Sequence, residues 1–188
     1  MIDRPSLIDR MVRAARLDSN LYEEVEADEG ANWQALAVVL TTSIASGLGI
    51  GIGAIISGDS GLWFLWGLLI GIGTGIAGWL IWSLFAYWLG TTIFKGHVTE
   101  ADYGQLMRTI GFSTTPRLLS FFSFIPFVGG FISFVALVWA LVAGVIAIRQ
   151  ALDFSTWRAI GTCIVGWLVF TLIVFLVSGF VIGANVLF

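Results

Sequence analysis

Two arginines, Arg108 and Arg117, stand inside an otherwise apolar stretch, residues 102–126, that also carries Pro116. A cation in such a setting can hydrogen-bond backbone carbonyls released by the proline, or it can hold an anion such as a lipid phosphate. Arginine suits either role because it hardly ever deprotonates. Other chemistry-bearing residues are sparse. Cys163, the single cysteine, lies in an apolar run, forms no internal disulfide and is expected to pack. His97, the single histidine, stands in a polar loop without clustered ligands, which makes a poor metal site. The long apolar runs hold no His, Asp or Glu that could act as a base, so no catalytic residue, cofactor or metal is expected, and the chain reads as no enzyme. Gly73-Thr-Gly-Ile-Ala-Gly78 matches the dinucleotide-binding pattern by letter. That fingerprint needs a preceding strand and an acid about 20 residues on. The first acid after it is Glu100, so it is set aside.

The elements that must position these arginines are membrane helices. Of 188 residues, 58% are hydrophobic and only 11% charged, against about 25% charged in soluble domains. Residues 30–58, 60–94, 118–148 and 159–188 contain no Asp, Glu, Lys or Arg. Each run exceeds the roughly 20 residues a helix needs to cross about 30 Å of hydrocarbon. The first 30 residues lack the apolar core of a secretory signal, so no cleaved leader is expected. The net charge of −3 gives no reason to expect a nucleic-acid partner.

Whether residues 102–125 also cross decides the topology. Ten apolar residues there contribute roughly 0.3–0.6 kcal/mol each, and one central arginine costs about 3 kcal/mol. Insertion energy alone leaves the segment marginal. Charge placement decides it: with the N-terminal arginines inside, a third crossing puts Arg149 and Arg158 inside and leaves the turn near Asp59 outside, as the positive-inside rule requires. The expected architecture is therefore all-α, an integral membrane bundle of five transmembrane helices with a short amphipathic N-terminal helix. An N-terminal segment, 1–31, precedes a membrane domain, 32–188, with spans near 33–57, 62–94, 102–125, 127–149 and 157–187. The N-terminus is expected in the cytoplasm and the C-terminus outside.

Within the spans, Gly47/Gly51 and Gly49/Gly53 form two small-xxx-small faces, and Gly71, Gly75 and Gly78 suggest another close-packing seam. Around Arg117, Thr109, Ser113 and Ser120 recur at spacings of three and four with Asp102, Gln105, Pro116 and Ser123, a polar stripe that could bind a ligand or lipid. Arg108 lies nearer the cytoplasmic end, where it can snorkel. Thr99-Glu-Ala-Asp102 resembles a capping box, so the third helix is expected to begin there. At the N-terminus, Leu7, Ile8, Met11, Val12 and Ala15 recur at helical spacing beside Arg10, Arg13 and Arg16, as in a helix lying among lipid headgroups. Glu23, Glu24, Glu26, Asp28 and Glu29 follow, without the alternating ligands of a calcium loop. They are a solvated cluster, or a docking surface for a basic partner or for the arginines just upstream.

Three stretches carry a family likeness: LYEEVEADEGANWQALAVVL, YGQLMRTIGFSTTPRLLSF, and IPFVGGFISFVALVWALVAGVIAIRQALDFSTWRAI. In these the chain resembles the Ypt-interacting protein (Yip) domain family, particularly its prokaryotic branch. Tyr103, Gly111-Phe112 and Pro116 fit the family's Tyr-x(7)-Gly-Tyr/Phe-x(3)-Pro pattern. The resemblance implies five membrane helices and a cytosolic N-terminus, here in a bacterial cytoplasmic membrane. Eukaryotic members act in vesicle traffic with small GTPases. Here Leu21-Tyr22 continues as Glu-Glu where those relatives have Gly-Pro, which argues against a GTPase partner. The expected function is a non-enzymatic membrane adaptor or scaffold that binds membrane lipids and other membrane proteins, or itself. The alternative is a transporter or channel for an anion or lipid headgroup, its path lined by the third helix.

Overall fold

The structure is a computed structural model and describes residues 5–58, 61–94 and 101–169. Every regular element among the described residues is helical. Two short helices come first, α1 (Leu7–Ala15) and α2 (Ser19–Ala27), each opened by a side-chain cap. The Ser6 hydroxyl accepts from the Asp9 N–H and the Asp18 carboxylate from the Asn20 N–H. Both satisfy amides that a first helical turn leaves unpaired. Between the helices the chain reverses at Leu17, in the left-handed region at φ 62°.

Among the described residues, three helices are long and apolar enough to cross a membrane: α3 (Ala31–Ile56), residues Phe64–Thr92 of α4 (Gly61–Thr92), and α6 (Gly129–Ala151). They coincide with the first, second and fourth expected spans. α7 (Thr156–Val169) is a shorter apolar helix at the start of the expected fifth span, whose remainder lies outside the described residues. His97 and the Thr99 end of the expected capping box also lie outside them.

The single span expected over 102–125 is divided at its proline into two helical segments of different type. α5 (Tyr103–Ser113) is followed by a 3₁₀ segment, Thr115–Phe124. Asp102 is the N-cap of α5, with Gln105 completing the capping box, so the box lies three residues later than the sequence suggested. Pro116 ends the α-helix because it has no N–H for the carbonyl four residues back and its ring crowds that carbonyl. Three successive hydroxyls take up acceptors near the break. Ser113 donates to the Ile110 carbonyl, Thr114 to that of Gly111 and Thr115 to that of Phe112, each at 2.7 Å.

The broken segment keeps its course beside α3. Gly111 lies against Ala35, the Thr42 and Thr114 hydroxyls meet at 3.4 Å, Gly49 abuts the Ser120 and Phe121 carbonyls, and Gly53 faces Phe124. From Ala35 to Gly53, α3 rises about 27 Å. α5 and the 3₁₀ segment together advance over that length, in the direction of α3. α4 runs the opposite way, with Phe64 at Gly51, Leu68 and Gly71 at Gly47, and Gly75 at Ser43. α6 also returns, from Gly129 beside Ser123 to Gln150, which donates to Glu23 at 2.7 Å.

The two glycine faces of α3 thus serve two neighbours, Gly47/Gly51 taking α4 and Gly49/Gly53 taking the 3₁₀ segment. Gly71 and Gly75 belong to the α3–α4 seam, whereas Gly78 has open space where a Cβ would stand.

Candidate functional site

One end of the bundle gathers α1, α2, the start of α5 and the end of α6. Its centre is Arg10, only 2% exposed. Its guanidinium donates to Glu24 at 3.0 Å, Asp28 at 2.8 Å and Gln34 at 2.7 Å. Arg13, half-buried, pairs with Asp18 at 2.9 Å and Glu24 at 2.6 Å. Arg108 reaches up from α5, 4% exposed, and donates to the Val25 carbonyl at 3.0 Å and to that of Glu26. Those carbonyls end α2, whose last turn has no basic residue of its own. An imported cation there satisfies orphan acceptors and complements the helix dipole.

Of the four arginines expected at the lipid surface, Arg10 and Arg108 are therefore turned inward, Arg13 is paired, and Arg16 is the exposed one. The reason is local: α1 folds back on α2, which brings carboxylates to Arg10 and Arg13, while the carbonyls ending α2 take Arg108. Glu24 and Asp28 are engaged by the upstream arginines and Glu23 by Gln150, while Glu29 stays exposed.

Glu26 is the unusual acid of this end. Burial, with a further push from Asp153, raises its carboxyl to about 7, although Arg108 acts the other way. The raised value means that the folded state holds a proton the unfolded chain releases near 4.5, so stability falls as pH rises from about 4.5 to 7. Replacing Glu26 with glutamine should raise the melting temperature at pH 8 and change little at pH 5. Equal shifts at both pH values would contradict this assignment.

The second polar place lies deeper. Arg117 borders a cavity of about 500 Å³ between α3, α4 and the helix break, where Thr42, Ser43, Ser46, Thr74 and Thr114 supply hydroxyls. It also borders a smaller cavity of about 150 Å³ toward α6 and α7. Among the described residues the Arg117 guanidinium has no hydrogen-bond or ion-pair partner. The carbonyls around the break, offered by the sequence as one partner for it, are taken by Ser113, Thr114 and Thr115.

The polar stripe that sequence spacing suggested does not assemble around Arg117. Thr109 and Ser113 are buried with their hydroxyls on carbonyls of their own helix, and Ser120 packs against Gly49. Ser113 alone of the three reaches an Arg117 cavity, the smaller one. The residues that do line the main cavity were missed. A signal existed, since Thr41, Thr42, Ser43 and Ser46 are the only polar side chains in the apolar run 37–56.

An all-helical bundle containing three helices of membrane-crossing length, with the charged side chains among the described residues gathered at one end except for Arg117, defines a helical integral membrane protein. Residues 19–179 match the model of the Yip1 domain, so the chain belongs to the Yip1 domain family. The match begins at the first residue of α2, so α1, with Arg10 and Arg13, precedes it. No curated protein and no solved structure matches the chain.

Proposed function

We propose that this chain is a non-enzymatic scaffold of five spans that associates laterally with other membrane proteins, or with a second copy, through the outward face of α4. One observation carries the reading. Only 6% of the α4 spanning window is buried among the described residues, against 50% for α3. In the middle of that bare face stand Gly73, with open space where a Cβ would be, and exposed Ala77 one turn on. Ile70, Ile81 and Leu84 flank them, all exposed. In lipid, where helices associate by packing, such a pair lets a neighbouring backbone approach closely.

The glycines of the α3 faces are spent within the chain, and Glu24 and Asp28 are held by Arg10. A GTPase contact through the acidic cluster is therefore no part of this reading. Five spans are supported by the course of α5 and the 3₁₀ segment beside α3, over a length close to the roughly 30 Å hydrocarbon core. The distribution of charge supports the orientation. Arg10, Arg13, Arg16, Arg149 and Arg158 belong to the end that holds α1 and α2, and the turns at Gly58 and Pro126 carry no basic residue. By the positive-inside rule that end faces the cytoplasm and the C-terminus lies outside, a reading that places the chain in a bacterial inner membrane.

Gentle detergent extraction followed by sizing and native mass measurement tests the association. Wild type should run as a complex, and Gly73→Ile as a monomer with an unchanged melting temperature. A wild-type protein that is a solitary monomer under these conditions contradicts the reading.

A further inference from the structure

We propose that the Arg117 cavity is a binding site for a phosphate-type anion, carried by a lipid headgroup or free, with Arg117 as the ligating cation. Depth is the first argument. Thr114 lies beside Thr42 and Ser120 beside Gly49, so Arg117 stands between levels about 16 and 27 Å from the start of α3. A guanidinium there is far from both ends of α3 and keeps its charge.

The second argument is the missing counter-charge. No acid occurs in the sequence between Glu29 and Asp59, between Asp59 and Glu100, or between Asp102 and Asp153. Asp59 follows the far end of α3, Glu100 and Asp102 precede α5, and Asp153 follows α6, so none belongs at this level. Arg117 is exposed toward this space, and a cation at hydrocarbon depth needs a counter-charge, which none of the described residues supplies. A bound anion would supply it.

The third argument is the lining. Two serines of the same cavity lining lack partners: the Ser46 hydroxyl is buried and unbonded, and Ser43, 8% exposed, makes no hydrogen bond among the described residues. Thr42, Thr74 and Thr114 already donate to carbonyls, which leaves their hydroxyl oxygens as acceptors only. A multi-oxygen anion fits: its oxygens can take the planar guanidinium fork bidentately and still receive the two free serine donors. A spherical halide would use the charge and waste the fork. The space, about 500 Å³, also exceeds what a halide fills and is of the size that holds a small-molecule group.

The test uses the full chain, delipidated in non-ionic detergent. Phosphatidylglycerol and diacylglycerol, which share acyl chains and differ in the phosphate, are added separately and retention is read by native mass spectrometry. Inorganic phosphate is titrated alone by thermal shift, and then in competition with the lipid. Wild type should retain phosphatidylglycerol at least tenfold better than Arg117→Gln, with diacylglycerol equal for both. Lipid retention that inorganic phosphate does not displace assigns the headgroup as the source. A thermal shift by phosphate that Arg117→Gln lacks, with displacement of the lipid, assigns the free anion. Equal retention by both proteins, with no effect of phosphate on either, overturns the proposal. Ser46→Leu covers the case in which Arg117→Gln does not fold. It fills the cavity with Arg117 untouched and should lose the same binding, and full retention by it would also overturn the site.

Discussion

Arg108→Leu should loosen α1 and α2 from the membrane bundle. The wild-type guanidinium is 4% exposed and spends its donors on the Val25 and Glu26 carbonyls, with a longer contact to Asn32 at 3.4 Å. Leucine fills much of the volume and makes none of these bonds. Two carbonyls at the end of α2 are then left without a cation, in a helix of nine residues that is too short to hold itself together. Losing two charge-assisted hydrogen bonds at a buried position costs about 3 kcal/mol. At 1.4 kcal/mol per tenfold, amide exchange in α2 should accelerate about a hundredfold. Arg108→Lys keeps the charge without the fork and should fall between the two. Amides of α2 that exchange at the wild-type rate in Arg108→Leu would show that α2 is held by something else.

The second large effect is expected at Gly49. A Cβ there would stand 2.6 Å from both the Ser120 and Phe121 carbonyl oxygens and 2.5 Å from the Ser123 hydroxyl. Serine can rotate away, but backbone carbonyls cannot, so the 3₁₀ segment must leave α3. Overpacking of this kind costs about 1–3 kcal/mol, and Gly49→Leu belongs at the top of that range. Gly53, one turn on, is the internal control. Its Cβ would meet Phe124 at 3.7 Å, an ordinary contact. Gly53→Ala should be neutral or stabilising, since alanine is favoured over glycine in a helix by up to about 1 kcal/mol. Thermal unfolding in detergent compares the two. A Gly49→Leu protein that melts with Gly53→Ala would contradict the packing described.

The long helices were legible because absence of charge over more than twenty residues leaves few alternatives. The two glycine faces of α3 were legible for a similar reason, since i, i+4 pairs keep their meaning whatever the neighbour. Pro116 was visible as a break, but not what followed it. Continuing as a 3₁₀ helix depends on α3, whose glycines let Ser120 and Phe121 come close. Pairing of the acidic cluster with the upstream arginines was one of the readings the sequence offered, but the burial of Arg10 was not legible. It rests on a reversal at Leu17, a non-glycine in the left-handed region, and local sequence gives no warning of such a residue. The Arg117 cavity draws on three separate parts of the chain, so spacing along one helix pointed instead to Thr109, Ser113 and Ser120.

The central claim is that residues 103–124 carry the chain from one face of the membrane to the other. Phe127, fully exposed just after them, and Asn20, exposed on α2, are the positions to probe. Each is replaced singly by cysteine in a Cys163→Ser background and treated on intact cells with a membrane-impermeant maleimide. Phe127→Cys should label on intact cells and Asn20→Cys only after permeabilisation. Labelling of both under the same condition would place the two ends of the segment on one side and contradict the account.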